Sequence, residues 1–262
     1  MVGTYLRAQR RRRGLLLRDM AHALGWTTRA AARLEAGQTV PSADVLQRLL
    51  TEYRAPDTDD AVRALWDLAH IGGDYAVDAA PGWFERVAGC EFEADRITAF
   101  SAWNIPHLVQ TEGYATHWWT NTLVGHVPPP DAIAARMLPA GHDKEVLILL
   151  EETVLLRRTD PAVMTEQLDH LLHLAVHTRT SIRIVPLHAG VIPPHGTLTV
   201  LELPNRRCLH VEEAAVTIYS TGRPAARLQY VIDSALAAAL PVAASLDLIR
   251  RTRAACAREA KQ

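Results

Sequence analysis

Apolar residues recur at helical spacing through the first seventy positions, in short runs that glycine closes. Leu6 to Arg13 predicts a first helix ending at Gly14, and Asp19 to Leu24 a second ending at Gly25. Thr28 to Glu35 predicts a third, with Thr27 placed to cap it and Gly37 beyond its end. Val45 to Tyr53 follows the turn at Pro41 and Ser42, and Ala61 to Ile71 resumes the pattern until Gly72 and Gly73 break it. Trp83 to Ala99 then reads as one long helix. After it the period shortens. Val146 to Leu150, Ile182 to Val185, Thr197 to Leu203 and Leu209 to Val211 are β-type runs between Pro, Gly and polar clusters. Ala162 to His177, with Leu168, Leu171, Leu172 and Ala175 on one face, and Ala225 to Leu240 are the strongest later helices. The predicted class is α+β, an all-α N-terminal domain followed by helices packed on a small mixed or antiparallel sheet. The expected division is residues 1–55, a helical linker over 56–80, and a larger domain over 81–262.

With 262 residues and 48% apolar content, the chain has material for two cores. The longest apolar stretch, Leu236 to Ile249, contains Pro241 and Asp247 and falls short of the roughly 18 to 20 residues of a membrane span. No secretory signal precedes the first helix, and Cys90, Cys208 and Cys256 share no CxxC spacing. A cytoplasmic protein without a membrane partner, structural metal or disulfide is expected. Charge changes the picture more. The net value is −1, yet residues 1–54 hold ten Arg against Asp19, Glu35, Asp44 and Glu52, a surplus of six that leaves −7 on the remainder. Only Lys144 and Lys261 occur, so arginine replaces lysine throughout, but that bias does not explain the clustering. Such asymmetry marks a nucleic-acid-binding module joined to an acidic partner.

Leu6-Arg7, Gly14-Leu15, Met20-Ala21, Leu24-Gly25-Trp26, Arg33-Leu34-Glu35, Gly37 and Pro41-Ser42 together resemble the helix-turn-helix of phage-repressor and xenobiotic-response-element regulators. The resemblance implies that the third helix reads the major groove of double-stranded DNA through Thr27, Thr28, Arg29, Ala30 and Arg33, while Arg12 and Arg18 meet phosphate. It also implies that Arg10 pairs with Glu35 inside the domain. Two departures weigh against a working reader. Leu16 and Leu17 stand where Ser or Thr followed by Gln would cap the second helix, and Ala30 to Ala32 strip the third of polar side chains. A degenerate helix-turn-helix kept only for packing or dimerisation is the competing reading.

Glu93-Ala94, Ile105-Pro106, Gln110-Thr111, Tyr114-Ala115, Glu151-Glu152, Leu155, Arg157, Met164, Gln167-Leu168 and Val185-Pro186 resemble the uncharacterised C-terminal domain that follows the same helix-turn-helix in many actinobacterial regulators. Some of those are encoded beside a small partner protein in a toxin-antitoxin-like arrangement. The resemblance implies a transcriptional regulator, a homodimer on two-fold operators, whose second domain senses a small-molecule ligand or a small protein partner. It brings no cofactor and no catalytic motif.

Chemistry must therefore be sought in departures from that pattern. His107 stands where the family has Gly, and Trp103, His117, Trp118 and Trp119 lie near it in sequence. A histidine among aromatics can act as acid or base, or line a passive pocket for an apolar ligand, and tryptophans alone are ordinary core residues. His126, Pro139 to His142 and Pro193-Pro194-His195 add histidine-bearing loops, so an enzyme derived from a regulator would draw on His107, His117 and His195. His170, His173 and His177 share a helix face, but no HExxH or cysteine framework completes a metal site. A solvated histidine face is expected. No GxxxxGK[ST], GxGxxG or GxSxG is present either.

Overall fold

The computed structural model describes all residues except 72, 122–129, 140–141, 158–159, 191–195, 205–206, 214–215 and 262. Five helices open the chain: α1 (Val2–Arg12), α2 (Leu17–Leu24), α3 (Thr28–Glu35), α4 (Ala43–Glu52) and α5 (Asp59–His70). Gly14, Gly25 and Gly37 each take φ +68°, the left-handed turn that a β-carbon penalises. Leu6, Met20, Leu24, Ala31, Leu34, Leu46, Leu49, Leu50 and Tyr53 form one buried core, which α5 joins through Val62, Leu65 and Leu68. Within residues 56–80, read as a helical linker, the structure has α5 built into this core and then a strand, β1 (Tyr75–Asp78).

The stretch from Trp83 to Ala99, expected as one helix, is two elements. Helix α6 (Trp83–Glu93) ends at Ala94, and Arg96–Ser101 is strand β2. The strand points Ile97 and Ala99 to one face and Phe100 to the other, all fully buried, so its apolar pattern could not be told from a buried helix. Five more strands complete a mixed sheet: β3 (Glu145–Glu151), β4 (Thr180–Val185), β5 (Thr197–Leu203), β6 (Arg207–Glu213) and β7 (Thr217–Ser220). The order is β1-β7-β6-β5-β2-β3-β4, with β2, β3 and β4 parallel and every other pair antiparallel.

Helices cover both faces, giving three layers. On one lies α11 (Gly222–Ala238), packing Leu228, Val231, Ile232 and Ala235 on Phe100, Leu149 and Leu198. On the other lie α6, α7 (Glu112–Asn121), α10 (Pro161–His177) and α12 (Val242–Glu259), with the short helices α8 (Pro130–Arg136) and α9 (Thr153–Leu156) nearby. The apolar stretch 236–249 is the end of α11, a break at Pro241 and the start of α12, and the two helices bend by 81°. No single helix among the described residues is long and apolar enough to cross a membrane. That break protects the outer edge of β4: Ser245 Oγ accepts from Ile184 N at 3.0 Å, and Leu240 N donates to Ile184 O at 2.8 Å. The N-terminal helices lean on the second domain through α1, which runs along α6 where Gly89 leaves room for the Tyr5 ring.

Candidate nucleic-acid interface

Thr27 Oγ1 accepts from Ala30 N at 3.2 Å and starts α3 as a capped helix. Its buried face, Ala31, Leu34 and Glu35, anchors it, so Thr27, Thr28, Arg29 and Arg33 are left exposed and Ala30 half-exposed. The cap absent from α2 is partly replaced, since Asp19 Oδ2 reaches back to accept from Leu16 N at 2.6 Å. Arg18 stands exposed in the first turn of α2. A helix-turn-helix needs its two first turns free and its reading helix fixed. Both conditions hold here.

The clamp that fixes α3 is the ion pair implied by the resemblance. Arg10 donates to Glu35 through Nε at 2.6 Å and Nη2 at 2.9 Å, and its Nη1 holds Leu15 O. Glu35 is nearly fully buried, and the bidentate bonds raise the pKa of Arg10 above its ordinary value. The other arginines divide into two groups. Arg7 touches Glu35, Arg11 pairs with the buried Glu93 at 3.2 Å, Arg13 donates to Tyr53 O and Arg54 O, and Arg48 donates to Ala23 O. Arg12, expected on phosphate, instead donates to Ala88 O at 3.2 Å and lies 5.1 Å from the Phe92 ring centroid. The second domain takes this guanidinium because α1 docks on α6. Of the predicted DNA contacts, Arg29 and Arg33 make no hydrogen bond or ion pair among the described residues, and Arg18 has only Asp19 at 3.8 Å. Much of the arginine surplus is thus internal fastening, and what remains free lies on the first turns of α2 and α3 and along α3.

In the second domain the structure brings His107 and Trp119 together. Their rings stack at 5.5 Å and 7°, and the Phe84 edge closes the nest at 5.1 Å from His107 and 6.0 Å from Trp119. Gln110 Nε2 donates to Ile105 O at 2.6 Å, which turns Gln110 Oε1 toward His107 Nδ1 at 3.1 Å. Burial, and then the charge of Arg136, push the His107 pKa down to about 4. The ring is therefore neutral near pH 7, with its proton on Nδ1 and a lone pair on Nε2. Trp119 Nε1 has no acceptor among the described residues.

Beneath the nest lies a cluster that sequence reasoning missed. Arg136 Nε and Nη2 bind the Glu91 carboxylate, Nη1 and Nη2 bind Glu213 at 2.6 and 2.8 Å, and the guanidinium lies 4.5 Å from the Phe84 centroid. All three charged groups are buried. Burial raises the pKa of Glu91, whereas at Glu213 the guanidinium outweighs burial and holds the pKa below its ordinary value. A signal existed in the sequence: Phe84, Val87 and Glu91 fall at i, i+3 and i+7, which puts a carboxylate on the buried stripe of α6.

The remaining candidates lie apart. His117 borders a shallow groove with Glu112, Thr116 and Glu166, outside the His107 nest. Trp103 is half exposed, with Arg157 at 5.2 Å from its ring centroid, and Trp118 packs beside the core. His142 is tied to Thr180 Oγ1 at 3.1 Å. His195 and His126 lie outside the described residues. His173 and His177 meet at 4.4 Å, and no group of three metal-binding side chains occurs among the described residues.

Two family models match the chain. One is a helix-turn-helix domain over residues 2–65, and the other a domain of unknown function (DUF5753) over residues 84–251. No curated protein and no solved structure matches it.

Proposed function

Because the chain belongs to the DUF5753 family and carries a helix-turn-helix domain at its N-terminal end, we propose that it is a transcriptional regulator that reads double-stranded DNA as a cytoplasmic homodimer. The observation that carries the reading is the capped, core-anchored α3, on which Arg29 and Arg33 stay exposed and unpaired while Arg10, Arg12 and Arg13 each bond to partners within the molecule. Arginine forks suit guanine edges, and Arg18 suits phosphate. Of the two departures behind the degenerate reading, the missing α2 cap is partly replaced by Asp19, whereas Ala30 to Ala32 leave the polar contacts of α3 to Thr27, Thr28, Arg29 and Arg33. The second domain serves as the sensor of a small ligand or protein partner, and the His107–Trp119 nest is the place where a donor group would find the free Nε2. An enzymatic role finds less support, since His107 and His117 face different surroundings. Titrating the full-length chain against duplex DNA from upstream of its own gene, and against a random duplex, tests the proposal. Tighter, salt-sensitive binding to the first is expected, and equal weak binding to both contradicts it.

A further inference from the structure

A cleft of about 560 Å³ lies between the two domains, walled by α1 and the end of α3 on one side and by Leu203, Pro204 and Arg207 at the neighbouring ends of β5 and β6 on the other. This is within the range of small-molecule sites, about 300 to 1,000 Å³. Its polar lining is Thr4, Arg7, Glu35, Gln38 and Arg207, so each domain supplies one arginine. Glu35 is the one carboxylate among the lining residues, and its charge is already met by the two short bonds from Arg10 behind it. Arg7 reaches Glu35 only at 3.3 Å through Nε. Arg207 has no carboxylate partner among the described residues and spends one N–H on Ala36 O, the backbone carbonyl that caps α3. Two guanidinium groups thus face one cleft with a single carboxylate, Glu35, which Arg10 already binds bidentately from behind and Arg7 touches through one N–H, while Arg207 has no carboxylate among the described residues.

We propose that this cleft binds a small oxyanion, the phosphate or carboxylate group of a soluble effector, held between the forks of Arg7 and Arg207. Such a ligand bridges α1, beside the end of the reading helix, to the sheet of the second domain, so its occupancy bears on how α3 is presented. The regulatory consequence rests on the DNA-binding reading above, but the binding itself does not, because it can be measured without DNA. Calorimetric titration of the full-length chain with inorganic pyrophosphate, and separately with citrate, distinguishes the two ligand classes. At least one probe is expected to bind at one site per chain. Arg207→Ala is expected to weaken that binding about tenfold or more, by loss of charge-assisted bonds, while Arg223→Ala, an exposed arginine on α11 outside the cleft, leaves it unchanged. Arg207 is exposed, and a circular-dichroism melt confirms that the variant is folded. Absence of binding by both probes, or equal binding by both variants, overturns the proposal.

Discussion

Replacing Arg136 by Met removes the one cation that two buried carboxylates share. Glu91 and Glu213 together receive four short bonds from its guanidinium, and all three groups are nearly fully buried. Breaking a buried pair from one side costs about 3 to 5 kcal/mol, because the stranded charge keeps its desolvation penalty. Against a total stability of about 5 to 15 kcal/mol, this threatens the whole second domain. In a chain of this size it corresponds to a fall in Tm of roughly 6 to 20 °C. The sign of the pH dependence follows. Without Arg136 both carboxyl groups are raised above their unfolded values, so the stability they allow is present at low pH and lost as pH rises. Urea denaturation of Arg136→Met followed by circular dichroism should therefore show a large deficit at pH 7 that narrows at pH 5. A second variant, Glu91→Gln/Arg136→Met/Glu213→Gln, should recover much of it at pH 7. A deficit below about 1 kcal/mol, or one that does not narrow in acid, would refute the assignment of this cluster as a mutually dependent set.

Two other perturbations bear on the same architecture. A β-carbon at Gly89 would sit 2.8 Å from the Tyr5 ring, so Gly89→Val should wedge α1 from α6 and cost about 1 to 3 kcal/mol, seen as faster hydrogen exchange in both helices; unchanged exchange would contradict the packing. His107 has a folded pKa of about 4 against about 6.5 unfolded, so its contribution is present above pH 6.5 and lost as pH falls toward 4. Between urea midpoints at pH 7 and pH 4.5, the wild type should lose more stability than His107→Phe, and equal losses would mean that the ring is not buried as a neutral base.

The helix-turn-helix was legible because its signals are local. Glycines at 14, 25 and 37 mark helix ends that need positive φ, and Thr27 marks a start. The sheet was harder. Strand β2 hides in a run that reads as the tail of α6, and β1 and β7 are four residues each, too short for a period to declare itself. The sheet order is set by pairings between residues as distant as Tyr75 and Ser220, which no window along the chain contains. The same limit applies to the sites. The arginine surplus pointed to DNA, but composition could not separate Arg12, turned to Phe92, from Arg33, turned to solvent. His107 and Trp119 were singled out as a histidine near tryptophans and do stack, whereas Trp103, closer to His107 in sequence, pairs with Arg157.

The central claim, that α3 reads DNA with the arginines left free by the fold, is tested most directly by comparing Arg33→Ala with Arg12→Ala on the same upstream duplex across a salt series. Arg33→Ala should lose about 1 to 3 kcal/mol of specific binding, roughly 5- to 150-fold, and relax discrimination against random DNA. Arg12→Ala, whose guanidinium faces α6, should keep both the affinity and the salt slope of the wild type. Loss of binding in Arg12→Ala alone, with Arg33→Ala indistinguishable from wild type, would contradict the account.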